Sequence, residues 1–219
     1  MHHTLRNIDL YFKHEIFQYG GSSKGRGVCY ALLQHLKTQT KKEDDHPNII
    51  IGQGTLGLEI AREMPDLDAV IVPVGSGGLI AGIAVALQKT SPTTMVIGVE
   101  SEMCPNFSKA REAGKPVEVP LKFCSLTDEL AIPVIGHNAF YNANSLIKTM
   151  ITVKEEWVEA AILKLIEDEK YVVEGSGAAG LAAISSAQLM MNRRSDRKWC
   201  IALPLCAGNL SPSTTETCI

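Results

Sequence analysis

Short apolar runs and helically spaced apolar positions alternate along most of the chain, and from Asn48 onward this alternation is the signature of an α/β sheet built from crossover units. The spacing predicts strands at Ala69–Val74, Thr94–Val99, Lys148–Val153, Tyr171–Val173 and Trp199–Leu205. It predicts helices at Gln53–Met64, Leu79–Lys89, Pro105–Ala113, Ala139–Ile147, Lys154–Glu169 and Gly177–Met190. Upstream, Leu10–Phe17 reads as a strand of mixed alternation, and Gly20-Gly21-Ser22-Ser23 breaks it and supplies capping residues. The following helix, Lys24–Lys37, carries Val28, Ala31, Leu32 and Leu36 at helical spacing. Thr38–Pro47 is polar and charged and reads as a linker.

The stretch from Ala69 to Leu87 is uncharged throughout, close to the ~20 residues that span a bilayer. Pro73 and the glycines 75, 77 and 78 sit at its centre, and Val70–Val74 favours a strand. A parallel strand buried on both faces and feeding a helix explains the same apolarity. Gly75, Ser76, Gly77 and Gly78 then form a strand-to-helix loop whose backbone N–H groups, with the helix N-terminus, make an anion site suited to phosphate.

Composition narrows the partners. The chain of 219 residues is 45% hydrophobic and 21% charged, with a net charge of −3, which is globular and argues against nucleic acid or an anionic membrane as the partner. The N-terminus lacks the apolar core of a signal peptide and the arginine-rich character of a transit peptide, so a cytoplasmic location is expected. The 6 cysteines are scattered without metal-ligand spacing and read as reduced thiols.

Two segments bear on chemistry. Gly175-Ser-Gly-Ala-Ala-Gly180 is a literal GxGxxG after an apolar run, but Glu174 would crowd a pyrophosphate and no acidic residue ends the next strand. Glycines that permit tight helix–sheet packing are the simpler account. Lys24 follows a serine-and-glycine turn at the first turn of a helix, where the dipole disfavours an ammonium and a lysine can serve as a Schiff-base nucleophile.

The spacing Lys-x-Glu-x-x-Gln-x-x-Gly-Ser-x-Lys-x-Arg-Gly, from Lys13 to Gly27, resembles the lysine motif of the fold-type II pyridoxal-phosphate enzymes, the family of threonine and serine dehydratases and serine racemase. Gly52–Glu59, Val72–Gly82, Val173–Gly180 and Leu205–Asn209 resemble further family segments in the family's order, with the L-threonine ammonia-lyase branch the best match. The resemblance implies a three-layer, parallel-sheet α/β fold of the tryptophan synthase β type, with pyridoxal phosphate as cofactor. Lys24 would carry the cofactor and act as the base at the substrate α-carbon, Gly75, Ser76, Gly77 and Gly78 would cradle its phosphate, and Cys206 would stand against the pyridine nitrogen. The implied reaction is β-elimination of L-threonine or L-serine to a 2-oxo acid and ammonia, with a small amino acid as substrate and a homodimer as the assembly. Glu100 stands where serine racemase places a divalent-metal ligand, but Asn106 replaces the accompanying aspartate, so no metal site is expected.

The departures are as informative. Between the lysine helix and Gly52 the family carries a further α/β segment, including a Ser-Ala-Gly-Asn-His loop that binds the substrate carboxylate; here the linker around Thr38–Pro47 stands in its place. The expected organisation is a lysine-bearing segment over residues 1–37, a linker at 38–47 replacing most of the small domain, and a cofactor-binding domain over 48–219. Glu129 replaces a family glycine, Ser76 replaces a glycine of the phosphate loop, and Ser23 stands where phenylalanine is usual. The chain stops soon after Asn209, so no regulatory domain is expected, and loss of the asparagine loop predicts strongly reduced or absent activity.

Overall fold

The β-branched and apolar runs assemble into one sheet covered on both faces. A computed structural model describes residues 2–5, 8–38, 45–121, 125–186 and 197–209. Its strands are β1 (His2–Leu5), β2 (Ile8–His14), β3 (Ala69–Pro73), β4 (Met95–Ser101), β5 (Ile147–Val153) and β6 (Trp199–Leu205), in the order β1-β2-β6-β3-β4-β5. β1 pairs antiparallel with β2, and every other pairing is parallel. The helices are α1 (Lys24–Thr38), α2 (Pro47–Glu63), α3 (Gly78–Thr90), α4 (Asn106–Ala113), α5 (His137–Ala143), α6 (Glu155–Lys164) and α7 (Gly175–Ser185).

Period-two alternation in β3 explains the three layers. Ala69 and Ile71 pack with Val158 and Ile162 of α6 and Ala178, Ala179 and Ala182 of α7. Val70 and Val72 face Leu56 of α2, Ile80 and Ile83 of α3 and Phe140 of α5. All four strand residues are fully buried, so β3 has no polar face, as a central parallel strand requires. Among the described residues no helix is long and apolar enough to cross a membrane.

Several boundaries differ from the sequence expectation. α2 begins at Pro47, not Gln53, because His46 Nδ1 accepts from the Asn48 N–H at 3.1 Å and proline suits the first helical position. The expected linker is therefore helix or cap at both ends: Thr38 closes α1, and Asp45 accepts from the N–H groups of Asn138 and Ala139 at 2.9 and 2.8 Å. Residues 39–44 of it lie outside the described residues, as do residues 187–190 of the last expected helix. Tyr171–Val173 joins no sheet. α5 ends at Ala143, so that Ile147 can open β5 by pairing with Val96 of β4, and the helix expected to reach Glu169 passes into a π turn at Leu165–Glu169. β2 ends at His14, short of Phe17, and β1 had no counterpart in the expected strands.

Candidate active site

Three loops that each follow the carboxyl end of a parallel strand meet at one edge of the sheet, where such sheets bind ligands. β2 leads into the Gly20–Ser23 turn and Lys24, β6 into Cys206–Asn209, and β3 into Gly75–Gly78. Because β6 lies between β2 and β3, its loop is the middle wall. Two backbone bonds and one side-chain bond fasten the first two loops: the Ser23 N–H donates to Cys206 O at 2.9 Å, the Gly208 N–H to Gly21 O at 3.0 Å, and Asn209 Nδ2 to Gly20 O at 2.7 Å. The Glu174 N–H, at the entrance to α7, donates to Ala207 O at 3.1 Å.

These loops enclose a cavity of about 340 Å³, lined among others by Lys24, Gly75, Ser76, Gly77, Gly78 and Cys206. All the sequence-predicted site residues are thus brought together. Gly77 caps α3 in the left-handed region at φ 89°, and a Cβ there would lie 2.6 Å from Ile135 Cδ1, so the loop needs glycine at this position. The first intrahelical bond of α3 is Ala81 N–H to Gly77 O, which leaves the preceding amides directed out of the helix end.

Cys206 Sγ is buried, 3.4 Å from Pro204 O, and burial pushes the thiol well above its ordinary pKa, with Glu15 adding to the rise and Ser23 opposing it. The group is held neutral. Lys24 opens α1, as expected, with its N–H bonded to Ser22 Oγ at 3.2 Å. Its ammonium is paired with the carboxylate of Glu129, a contact 105 residues away along the chain that no local pattern signals. Burial, with Glu129 next, holds the Glu174 carboxyl above its ordinary range; Glu174 also lines the cavity.

Behind Lys24 lies a buried ion cluster. Arg26 donates to Glu15 through Nε and Nη2 at 2.6 and 2.9 Å and to Glu59 through Nη1 and Nη2 at 2.6 and 2.8 Å. Its guanidinium, chiefly, holds Glu59 down at about 2. The cluster ties β2, α1 and α2 together and so fixes the helix on which Lys24 stands. At the end of β4, buried Glu100 accepts from the Phe107 and Ser108 N–H groups at 3.0 and 3.3 Å, acting as the acceptor for the α4 N-terminus. Among the described residues, no group of three or more histidine, cysteine or acidic side chains is arranged to hold a metal ion. In the GxGxxG segment a Cβ at Gly180 would lie 2.1 Å from Leu203 Cδ1, and Gly175–Gly180 are all buried, which is close helix–sheet packing. Cys29, Cys104, Cys200 and Cys206 are free thiols.

Known proteins share this sequence pattern and this fold. A family model for pyridoxal-phosphate dependent enzymes matches residues 38–204. The chain is 38% identical over 80% of its length to an L-threonine ammonia-lyase of Geobacter sulfurreducens and 36% identical over 79% to one of Thermotoga maritima. It covers 42% and 41% of those two proteins, about two fifths of their length. Among solved structures, a threonine deaminase from T.th. superposes with a TM-score of 0.78 at 27% identity, covering 93% of this chain and 87% of that one. Threonine deaminase isoform 2 from Solanum lycopersicum, at 22% identity, shares the fold with a TM-score of 0.85, covering 97% and 82%. The family match begins downstream of Lys24, so it is the β2–β6 pairing and the loop bonds beyond it that bring the lysine segment to the matched domain. On the matched span and the shared fold, the chain belongs to the pyridoxal-phosphate dependent enzyme family.

Proposed function

We propose that the cavity holds pyridoxal phosphate on Lys24, and that the chain acts in the β-elimination of L-threonine or L-serine to a 2-oxo acid and ammonia. The observation that carries this is the convergence of Lys24, the Gly75–Gly78 loop and Cys206, from three separate elements, on one cavity. The residues fit the cofactor. A backbone-lined loop, closed to side chains at Gly77, stands at a helix N-terminus to take a phosphate, and the cavity's volume of about 340 Å³ falls in the range of small-molecule sites. Ser176, an α7 residue that also lines the cavity, has a buried Oγ with no hydrogen-bond partner.

When bound, pyridoxal phosphate supplies an electron sink for charge developing at the substrate α-carbon. The chain's residues do the rest. The Ser76, Gly77 and Gly78 amides bind the phosphate. Lys24 Nζ would hold the cofactor through its aldehyde, and the free amine would be the base placed to take the substrate α-proton. The neutral Cys206 thiol would stand as the partner of the ring nitrogen; lacking the full charge of a carboxylate, it would stabilise a protonated ring weakly and favour prompt loss of the β-hydroxyl. The proposed assembly is a homodimer, following the family resemblance, and sedimentation velocity tests it.

A second reading is a non-catalytic, cofactor-holding protein that pairs with longer relatives. It is favoured by one observation: residues 39–46 are all that join α1 to α2, where a substrate-binding lobe is expected. Incubating purified, cofactor-loaded protein with L-threonine separates the two. Formation of 2-oxobutanoate well above the rate of free cofactor supports the lyase, and a rate equal to free cofactor supports the second reading.

A further inference from the structure

Asn106 is fully buried at the start of α4, and its side-chain amide faces two carbonyl oxygens, Gly75 O at 2.9 Å and Ile132 O at 2.6 Å. Both are acceptors, so the nitrogen must be the atom directed at them. The Asn106 backbone is held in turn: its N–H donates to Cys104 O at 2.9 Å, and the next two amides are taken by Glu100. A buried chain of contacts thus runs from the end of β4 to the first glycine of the loop.

The peptides of the described residues are all trans, so each carbonyl points opposite to the N–H of the following residue. With Gly75 O turned to Asn106, the Ser76 N–H faces the other way. Ser76 O accepts from the Gly136 N–H at 3.0 Å, which likewise turns the Gly77 N–H away, and Gly77 O accepts from Ala81 in α3. Three successive carbonyls are occupied on the protein side, and Ser76, Gly77 and Gly78 line the cavity with the amides opposite. Of these three anchors, the Gly75 carbonyl is the one held by a side chain.

We propose that Asn106 is a positioning residue of the phosphate cradle: by holding the Gly75 carbonyl it keeps the Ser76 N–H turned into the cavity. This rests on the reading of the cavity as a pyridoxal-phosphate site.

The test compares equilibrium capture of pyridoxal phosphate with that of pyridoxal, which lacks the phosphate, in the wild-type chain, Asn106→Ala and Asn106→Asp. Affinity for pyridoxal phosphate falls on the order of tenfold in Asn106→Ala, the value of one hydrogen bond to a charged group. It falls further in Asn106→Asp, where a carboxylate faces two carbonyls. Pyridoxal capture stays at the wild-type level in Asn106→Ala. An equal loss for both ligands, or no loss for pyridoxal phosphate, overturns the inference while leaving the cofactor reading intact. Failure of the wild-type chain to capture either ligand at Lys24 overturns the cofactor reading and this inference with it. Should Asn106→Ala not fold, Asn106→Ser takes its place in the same comparison, and inorganic phosphate titrated into the wild-type chain tests the premise by amide NMR: the Ser76 and Gly77 resonances shift with saturation, and an unmoved Ser76 amide overturns the inference.

Discussion

Arg26 shows how single side chains set the site without touching it. Its guanidinium makes paired bonds to Glu15, whose side chain is 1% exposed, and to Glu59. Removing one partner of such a buried pair strands the other charge, which costs about 3–5 kcal/mol. Arg26→Met is therefore expected to lower the melting temperature strongly, and Arg26→Met combined with Glu15→Gln to recover much of the loss; thermal unfolding followed by circular dichroism checks both. Lys13, in the same cluster, shares Glu59 and adds Glu63, but these contacts are solvent-screened and worth far less. At this scale local sequence says little. The Lys24 motif points to the lysine we propose as nucleophile, while its pairing with Glu129 and the grip of Asn106 on Gly75 join residues far apart in the chain.

At the scale of elements, β3, α3 and β6 were the most legible. An unbroken β-branched run, a glycine cluster and a small-residue helix leave few alternatives, and the Trp199–Leu205 strand matched its expected bounds. Tyr171–Val173 was misread because an apolar triplet has strand propensity wherever it lies. The Tyr171 N–H instead donates to Leu165 O and that of Glu174, just after the triplet, to Ala207 O, and no ladder forms. The α2 start was missed because histidine is an uncommon N-cap and Asn48-Ile-Ile-Ile51 lacks helical spacing in isolation. The contact of α2 with α3 carries its own prediction. A Cβ at Gly82 would lie 2.5 Å from Ile50 O and 2.6 Å from Gly54 N, both backbone atoms that cannot swing aside. Gly82→Ala must push the helices apart and is expected to destabilise by about 1–3 kcal/mol, read from the denaturant midpoint.

At the scale of the molecule, sheet order does the work of assembly. Placing β6 between β2 and β3 brings the lysine turn, the Cys206 loop and the Gly75–Gly78 loop to one end of three adjacent strands, although they come from the beginning, end and middle of the sequence. The three-layer α/β architecture was legible from the alternation of runs, whereas the strand order was not, because periodicity carries no information on which strands become neighbours. The central claim is that this junction holds pyridoxal phosphate on Lys24. It is tested most directly by incubating the protein with pyridoxal phosphate, reducing with borohydride and mapping the modified peptide by mass spectrometry. A single stable adduct on Lys24 is expected, accompanied by a visible absorbance band, with loss of both in Lys24→Ala. An adduct distributed over other lysines, or a band unchanged in Lys24→Ala, would contradict it.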